Sequence, residues 1–187
     1  MSWLVLISLL AACMVLMLIE RMGVPTTLAL NFKGDVKRET RWLAQYGQAV
    51  CTGVAALLVW RLDTSPGHAR RWIVIAVSVI IASLVALILK RLLGRVRPGR
   101  EQAGTFLGPT FKHANFRESF PSSHSACAVA LTVVLTAYYP NGAPIFWSLA
   151  ITCATLRYIM DAHWPSDVFG GIALGYAAGY AALAFAR

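Results

Sequence analysis

The sequence predicts an all-α integral membrane bundle of six transmembrane helices, with an active site at the helix ends on one face. Composition and pattern predict it. Of the 187 residues, 58% are hydrophobic and 13% charged, the mean hydropathy is +0.62, and the apolar residues gather into six runs. Soluble domains carry about 25% charged residues, so an ordinary soluble globule is excluded.

The first run, residues 3 to 19, follows only Met1 and Ser2, neither of them basic. A secretory leader has a positively charged leading region, so the run reads as a retained span. The second covers residues 42 to 60 and the third 72 to 89. At 1.5 Å per residue the stretch from Trp72 to Leu89 reaches about 27 Å, close to a hydrocarbon core of about 30 Å.

The fourth run, 125 to 139, reaches only about 22 Å and becomes adequate if its helix begins near Pro121. The fifth covers 144 to 160 and the sixth 168 to 185. Between the fourth and fifth stands Pro140-Asn141-Gly142-Ala143-Pro144. A single helix from 125 to 160 would run about 54 Å and carry helix breakers midway, so a hairpin is expected. Trp3, Trp42, Trp60, Trp72, Trp147 and Trp164 all lie near run ends, as in an aromatic belt at the headgroup level.

Cys13, Cys51, Cys127 and Cys153 fall in separate runs without paired spacing. They read as small hydrophobes rather than a disulfide framework or a zinc site. Residues 1–187 read as one membrane domain, in which connections 20–41 and 90–120 are both basic. The first of these reads as an interfacial segment.

Three groups of polar residues border the runs: Lys90 with Arg97-Pro98, Pro121-Ser122-Ser123-His124, and Arg157 with His163 and Asp167. The first two flank one connection, and the hairpin returns the third to the same side. Parity therefore puts all three on one face.

An unpaired cation in lipid is expensive, which makes an intramembrane charge a functional candidate. Arg157, inside an apolar run, is read that way. Arg91 and Arg95 are read as snorkelling to the interface. Pro121 suits the first position of a helix, leaving the amides of Ser122, Ser123 and His124 as donors at a positive dipole end. Pro165 can likewise open the sixth helix. Asp167 then stands close enough to accept a hydrogen bond from His163, fixing its tautomer. His68, His113 and Lys112 lack motif spacing and receive no substrate role.

Lys90-x6-Arg97-Pro98, Pro121-Ser122-Ser123-His124 and Arg157-x5-His163-x3-Asp167 together resemble the three-part signature of the type 2 phosphatidic acid phosphatase and vanadium haloperoxidase superfamily. The resemblance runs from about residue 72 to the end and is to the membrane lipid phosphatase branch. Two positions depart from the pattern: Ser123 stands where the family usually has glycine, and Leu156 where it usually has serine. The first costs little if a backbone amide is the ligand, whereas the second removes a hydroxyl.

The resemblance implies that His163 attacks phosphorus and forms a phosphohistidine, oriented by Asp167. His124 would protonate the departing oxygen and later activate water. Lys90, Arg97, Arg157, Ser122 and the Ser123 amide would hold the equatorial oxygens. Because His163 must be neutral while His124 is protonated, a bell-shaped pH profile is expected. The scheme requires no metal and no cofactor.

The expected substrate is a lipid phosphate or diphosphate, such as undecaprenyl diphosphate, phosphatidylglycerol phosphate, phosphatidate or a lipid A phosphate. The expected partners are membrane lipids, with no nucleic acid. Alternatives are a lipid phosphotransferase using the same intermediate, and a non-enzymatic anion carrier. Two signals conflict over orientation. The motif face carries 13 of the 17 Lys and Arg residues, which the positive-inside rule reads as cytoplasmic. The resemblance implies an extracytoplasmic site in the bacterial inner membrane, and that expectation is preferred.

Overall fold

The computed structural model describes residues 1–28, 30 and 34–186, with only the backbone described for 34–37. Among them are seven α-helices: α1 (Trp3–Arg21), α2 (Gly34–Leu43), α3 (Ala49–Leu62), α4 (His68–Leu93), α5 (Ser123–Tyr138), α6 (Ala143–Ile159) and α7 (Pro165–Phe185). Short 3-10 turns occupy Asn115–Arg117 and Pro140–Gly142. The only β pairing among the described residues is an isolated antiparallel bridge between Arg95 and Phe106. The lone part of the basic connection at 29 and 31–33, including Lys33, lies outside the described residues.

Helix α5 is the centre of the bundle. Every residue from Ser125 to Leu135 is buried, and α7, α4 and α6 pack around it while α1 lies on α7 and α3 on α4. Its shortness follows from this position, because a helix enclosed by protein need not match the lipid thickness. Glycines on α7 permit the closest approach: a Cβ at Gly171 would stand 2.4 Å from the Ser122 carbonyl oxygen, and one at Gly175 2.2 Å from that of Ala126.

The outer surface is apolar. Leu4 and Ile7 on α1 are 75% and 60% exposed, and Ile80 and Leu84 on α4 are each 54% exposed. Such a surface is stable in hydrocarbon and not in water. Helices α1, α4 and α7 are long and apolar enough to cross a membrane, whereas α3 and α5 are shorter apolar helices. The protein is an all-helical integral membrane protein.

The second expected span is altered. Trp42 and Leu43 close α2, and α3 starts only at Ala49. Between them Gly47 adopts a positive φ of 82°. A Cβ there would meet the Ala128 amide nitrogen at 2.4 Å. Residues 44–48 thus wedge against α5 and α6: Tyr46 Oη and Thr132 Oγ1 of α5 share a 3.0 Å hydrogen bond, and Cys153 Sγ of α6 donates to the Ala44 carbonyl at 3.3 Å. An uninterrupted helix from 42 could not make this approach.

Pro121 does not open α5. The helix begins at Ser123 with Ser122 as its N-cap, because the Ser122 hydroxyl supplies the acceptor that the first turn needs. Pro165 does open α7, and the hairpin through Pro140–Gly142 is present. Trp3, Trp42 and Trp60 are at least half exposed. Trp164 instead turns inward, donating from Nε1 to the Val96 carbonyl at 3.0 Å, so packing rather than a headgroup level fixes it.

Candidate active site

The C-terminal ends of α4 and α6 and the N-terminal ends of α5 and α7 meet at one end of the bundle. They are tied there through the backbone, where the Ser122 amide donates to the Asp167 carbonyl at 2.9 Å. Arg97 Nη1 donates to the Ala162 carbonyl, next to His163, at 3.0 Å. The three groups of polar residues therefore share one face.

The loop after α4 is held in layers. Gly94, in left-handed conformation, ends the helix. Val96 then exchanges backbone hydrogen bonds with Gly104 and Thr105, while the Arg97 amide donates to Phe116 and that of Ser119 to Arg95. The Arg97 guanidinium also bridges the Asn115 carbonyl at 2.7 Å and that of Glu118 at 3.4 Å. Arg97 is thereby aimed at the segment that carries His163.

His163 is 1% exposed. Burial, against the pull of Asp167 and with the help of Lys90 and Arg157, pushes its imidazole down to about 3. At neutral pH the ring is uncharged, as a nucleophile must be. His124 stands in the first turn of α5, within electrostatic range of Arg157, Lys90 and Arg97.

The expected hydrogen bond between His163 and Asp167 is stretched. His163 Nδ1 lies 3.6 Å from Asp167 Oδ2 and has no hydrogen-bond partner among the described residues. The same oxygen already accepts the Ser119 hydroxyl and, at 3.0 Å, the Trp164 amide. Asp167 is thus both the third residue of α7, closing back on its N-cap, and the neighbour of His163.

Arg95 overturns the expectation of a snorkelling side chain. It is 1% exposed, and it donates to Asp167 Oδ1 at 2.5 Å, Ser166 Oγ at 2.6 Å and Glu20 Oε2 at 2.7 Å. A cation flanked by two buried carboxylates has no reason to reach for the interface. Arg91 is likewise engaged, 3.3 Å from Glu118 Oε1.

Glu118 also meets His113 Nδ1 at 2.8 Å and the Ala114 amide at 3.1 Å. Burial alone would raise this carboxyl, but His113, the Ala114 amide and Arg91 outweigh it and hold it below its usual range. Arg95, Glu20, Ser119 and Glu118 carry no motif spacing. The signal that could have found Glu20 is an acidic residue at the end of an apolar run, where a buried cation must answer it.

Among the described residues no ion pair joins Lys90, Arg97 or Arg157 to a carboxylate. Lys90 is 7% exposed, and Arg157 Nε is buried without a hydrogen-bond partner. The serines divide. Ser122 is fully buried, and its Oγ accepts from the Ser125 amide and hydroxyl at 3.5 and 3.0 Å. Ser123 is half-buried at the first helical position, where backbone amides lack intrahelical partners. Leu156 is half-buried, and Thr155 is exposed.

Comparison with known proteins places this arrangement. Lipid A 1-phosphatase of Rhizobium etli is 38% identical over 100 residues, which are 52% of this chain and 43% of that protein. The chain thus spans less than half the length of that relative. Decaprenylphosphoryl-5-phosphoribose phosphatase of Mycobacterium tuberculosis is 28% identical over 139 residues, 74% of each chain.

Among solved structures, Aquifex aeolicus LpxE superposes with a TM-score of 0.65 at 17% identity, covering 82% of this chain and 88% of that one. A PAP2 type phosphatidylglycerolphosphate phosphatase from Bacillus subtilis gives 0.59 at 15% identity, covering 96% and 94%. The family model of the PAP2 superfamily matches residues 71–187, the stretch that holds all but the first three residues of α4, the whole of α5 to α7, the loop and every one of the three polar groups; the chain belongs to the PAP2 superfamily.

Proposed function

We propose that the protein hydrolyses a lipid phosphate or lipid diphosphate through a phosphohistidine on His163. The observation that carries this reading is the set of three cations, Lys90, Arg97 and Arg157, gathered around two histidines with no carboxylate paired to them among the described residues. Lys90 is buried, Arg157 Nε is buried without a hydrogen-bond partner, and Arg97 meets only backbone carbonyls among the described residues; positive charge withdrawn from water without a countercharge is costly, so the site suits a multiply charged anion that arrives from outside.

The phosphoryl oxygens would lie against Lys90, Arg97, Arg157 and the amides of Ser123 and His124 at the start of α5, where the helix dipole adds positive potential. His163 attacks phosphorus in line as a neutral imidazole while His124 delivers a proton to the leaving oxygen. Water activated by His124 then cleaves the phosphorus–nitrogen bond. Ser122 serves by capping α5 and so presenting these amides. Asp167 orients His163, closing the 3.6 Å gap when the imidazolium character of the transition state strengthens their attraction.

The matching relatives act, by their names, on lipid A, a decaprenylphosphoryl sugar phosphate and phosphatidylglycerolphosphate. That range supports a phosphorylated lipid of the cell envelope as the substrate class here. We also propose that α1, α3, α4, α5, α6 and α7 cross the bacterial inner membrane with the site on the extracytoplasmic side. The excess of basic residues on that face weighs less than a count suggests, since Arg91, Arg95 and Arg117 are bonded within the protein.

The test is release of free phosphate from a panel of lipid phosphates and diphosphates by the purified protein in detergent. Turnover in wild type and loss in His163→Ala and His124→Ala is expected. Phosphate appearing only on an added acceptor lipid would make the protein a phosphotransferase, and undiminished turnover in His163→Ala would overturn the mechanism.

A further inference from the structure

Asp167 can orient His163 only if its own carboxylate is fixed, and the structure shows what fixes it. Oδ1 receives Arg95 at 2.5 Å. Arg95 in turn is held from behind by Glu20 Oε2 at 2.7 Å. The side chains of Glu20, Arg95 and Asp167 are 2%, 1% and 0% exposed, so these contacts are withdrawn from bulk solvent.

Glu20 does more than neutralise Arg95. Its Oε1 accepts the Ser166 amide at 3.0 Å and its Oε2 the Ser166 hydroxyl, while Cys13 on the same helix donates to the Ser166 carbonyl at 3.3 Å. The C-terminal turn of α1 thus grips the first turn of α7 immediately after His163. Glu20 lies outside residues 71–187, the part matched by the family model.

We propose that Glu20 and Arg95 are positioning residues for the phosphoryl-transfer step, acting through Asp167 on His163, so that helix α1 is part of the active-site apparatus. Arg95 holds the carboxylate from one oxygen, and Ser119 and the Trp164 amide hold the other. The imidazole then faces a rigid acceptor rather than a rotating one. A misplacement of about 1 Å in such a group lowers turnover about a hundredfold.

The assignment rests on the reading of His163 as nucleophile and is tested by a double-mutant cycle. Turnover of an activated aryl phosphate and of a lipid phosphate is measured for wild type, Glu20→Gln, Asp167→Asn and the double variant, with folding checked by thermal midpoint in detergent. Glu20→Gln is expected to lower kcat about tenfold to a hundredfold with little change in KM. In the Asp167→Asn background the same substitution is expected to cost almost nothing, because its route of action is gone.

A Glu20→Gln protein with full kcat overturns the assignment, as does a loss that simply multiplies with that of Asp167→Asn. Should Glu20→Gln fail to fold, Arg95→Lys, which keeps the charge but not the planar fork, is taken through the same cycle with the same outcomes. His163→Ala separates this from the underlying reading: a dead His163→Ala beside a fully active Glu20→Gln defeats only the positioning role, whereas an active His163→Ala defeats the mechanism itself.

Discussion

The backbone amide of Ser122 donates to the backbone carbonyl of Asp167 at 2.9 Å, so the first turns of α5 and α7 are joined by a bond that, of all substitutions at Ser122, only proline removes outright. These turns carry His124 on one helix and follow His163 on the other. Their separation is therefore a property of how closely the two helices pack.

That packing predicts the effect of filling it. Gly171→Ala places a Cβ 2.4 Å from the Ser122 carbonyl oxygen, and Gly175→Ala places one 2.2 Å from that of Ala126. Since these neighbours are backbone, the helices must separate, at about 1–3 kcal/mol for such overpacking. A lower thermal midpoint in detergent is expected for both, with the larger loss of kcat for Gly171→Ala, which lies nearer the histidines.

The acid limb of the pH profile is the next prediction. A histidine held at about 3 is neutral across the ordinary imidazole range near 6.5. The acid limb of kcat/KM that reports His163 in the free protein is therefore expected well below that value. Lys90→Met removes a cation that disfavours the imidazolium, so the same limb should move to higher pH as turnover falls. An unmoved limb would mean that Lys90 does not act on His163.

Arg97 is expected to tolerate lysine poorly. Its fork reaches the carbonyls of Asn115, Glu118 and Ala162 at once, and an ammonium cannot span all three. Losing one such charge-assisted hydrogen bond costs the loop about 1.5–3 kcal/mol of stability. Arg97→Lys should therefore expose the 94–120 loop to limited proteolysis and, by displacing the cation that the loop presents, lower kcat/KM about tenfold or more, although the charge is kept.

That Lys90, His124, Arg157 and His163 gather at one end of the bundle was legible, because they sit beside apolar runs and the parity of those runs brings them to one face. Their proposed roles rest on the resemblance as well as on that placement. Arg95 was not legible, because its partners Glu20 and Asp167 are 75 and 72 residues away and a cation beyond a span end has a sufficient local explanation in snorkelling. The break between α2 and α3 escaped for a similar reason. Residues 42 to 60 carry no charge, so Gln45, Gly47 and Gln48 pass as polar or flexible positions within one run, and only the contact of Gly47 with Ala128 on α5 shows why a turn belongs there. The start of α5 was misplaced by two residues, since proline and serine both suit a helix entrance and only the Ser122 hydroxyl contacts decide between them.

The most direct measurement of the mechanism is the covalent state of His163 during turnover. Protein mixed with a lipid phosphate labelled at phosphorus and quenched into alkaline denaturant within one turnover should carry the label on His163, at a rate fast enough to account for phosphate release. No label on His163, together with undiminished phosphate release by His163→Ala, would contradict it.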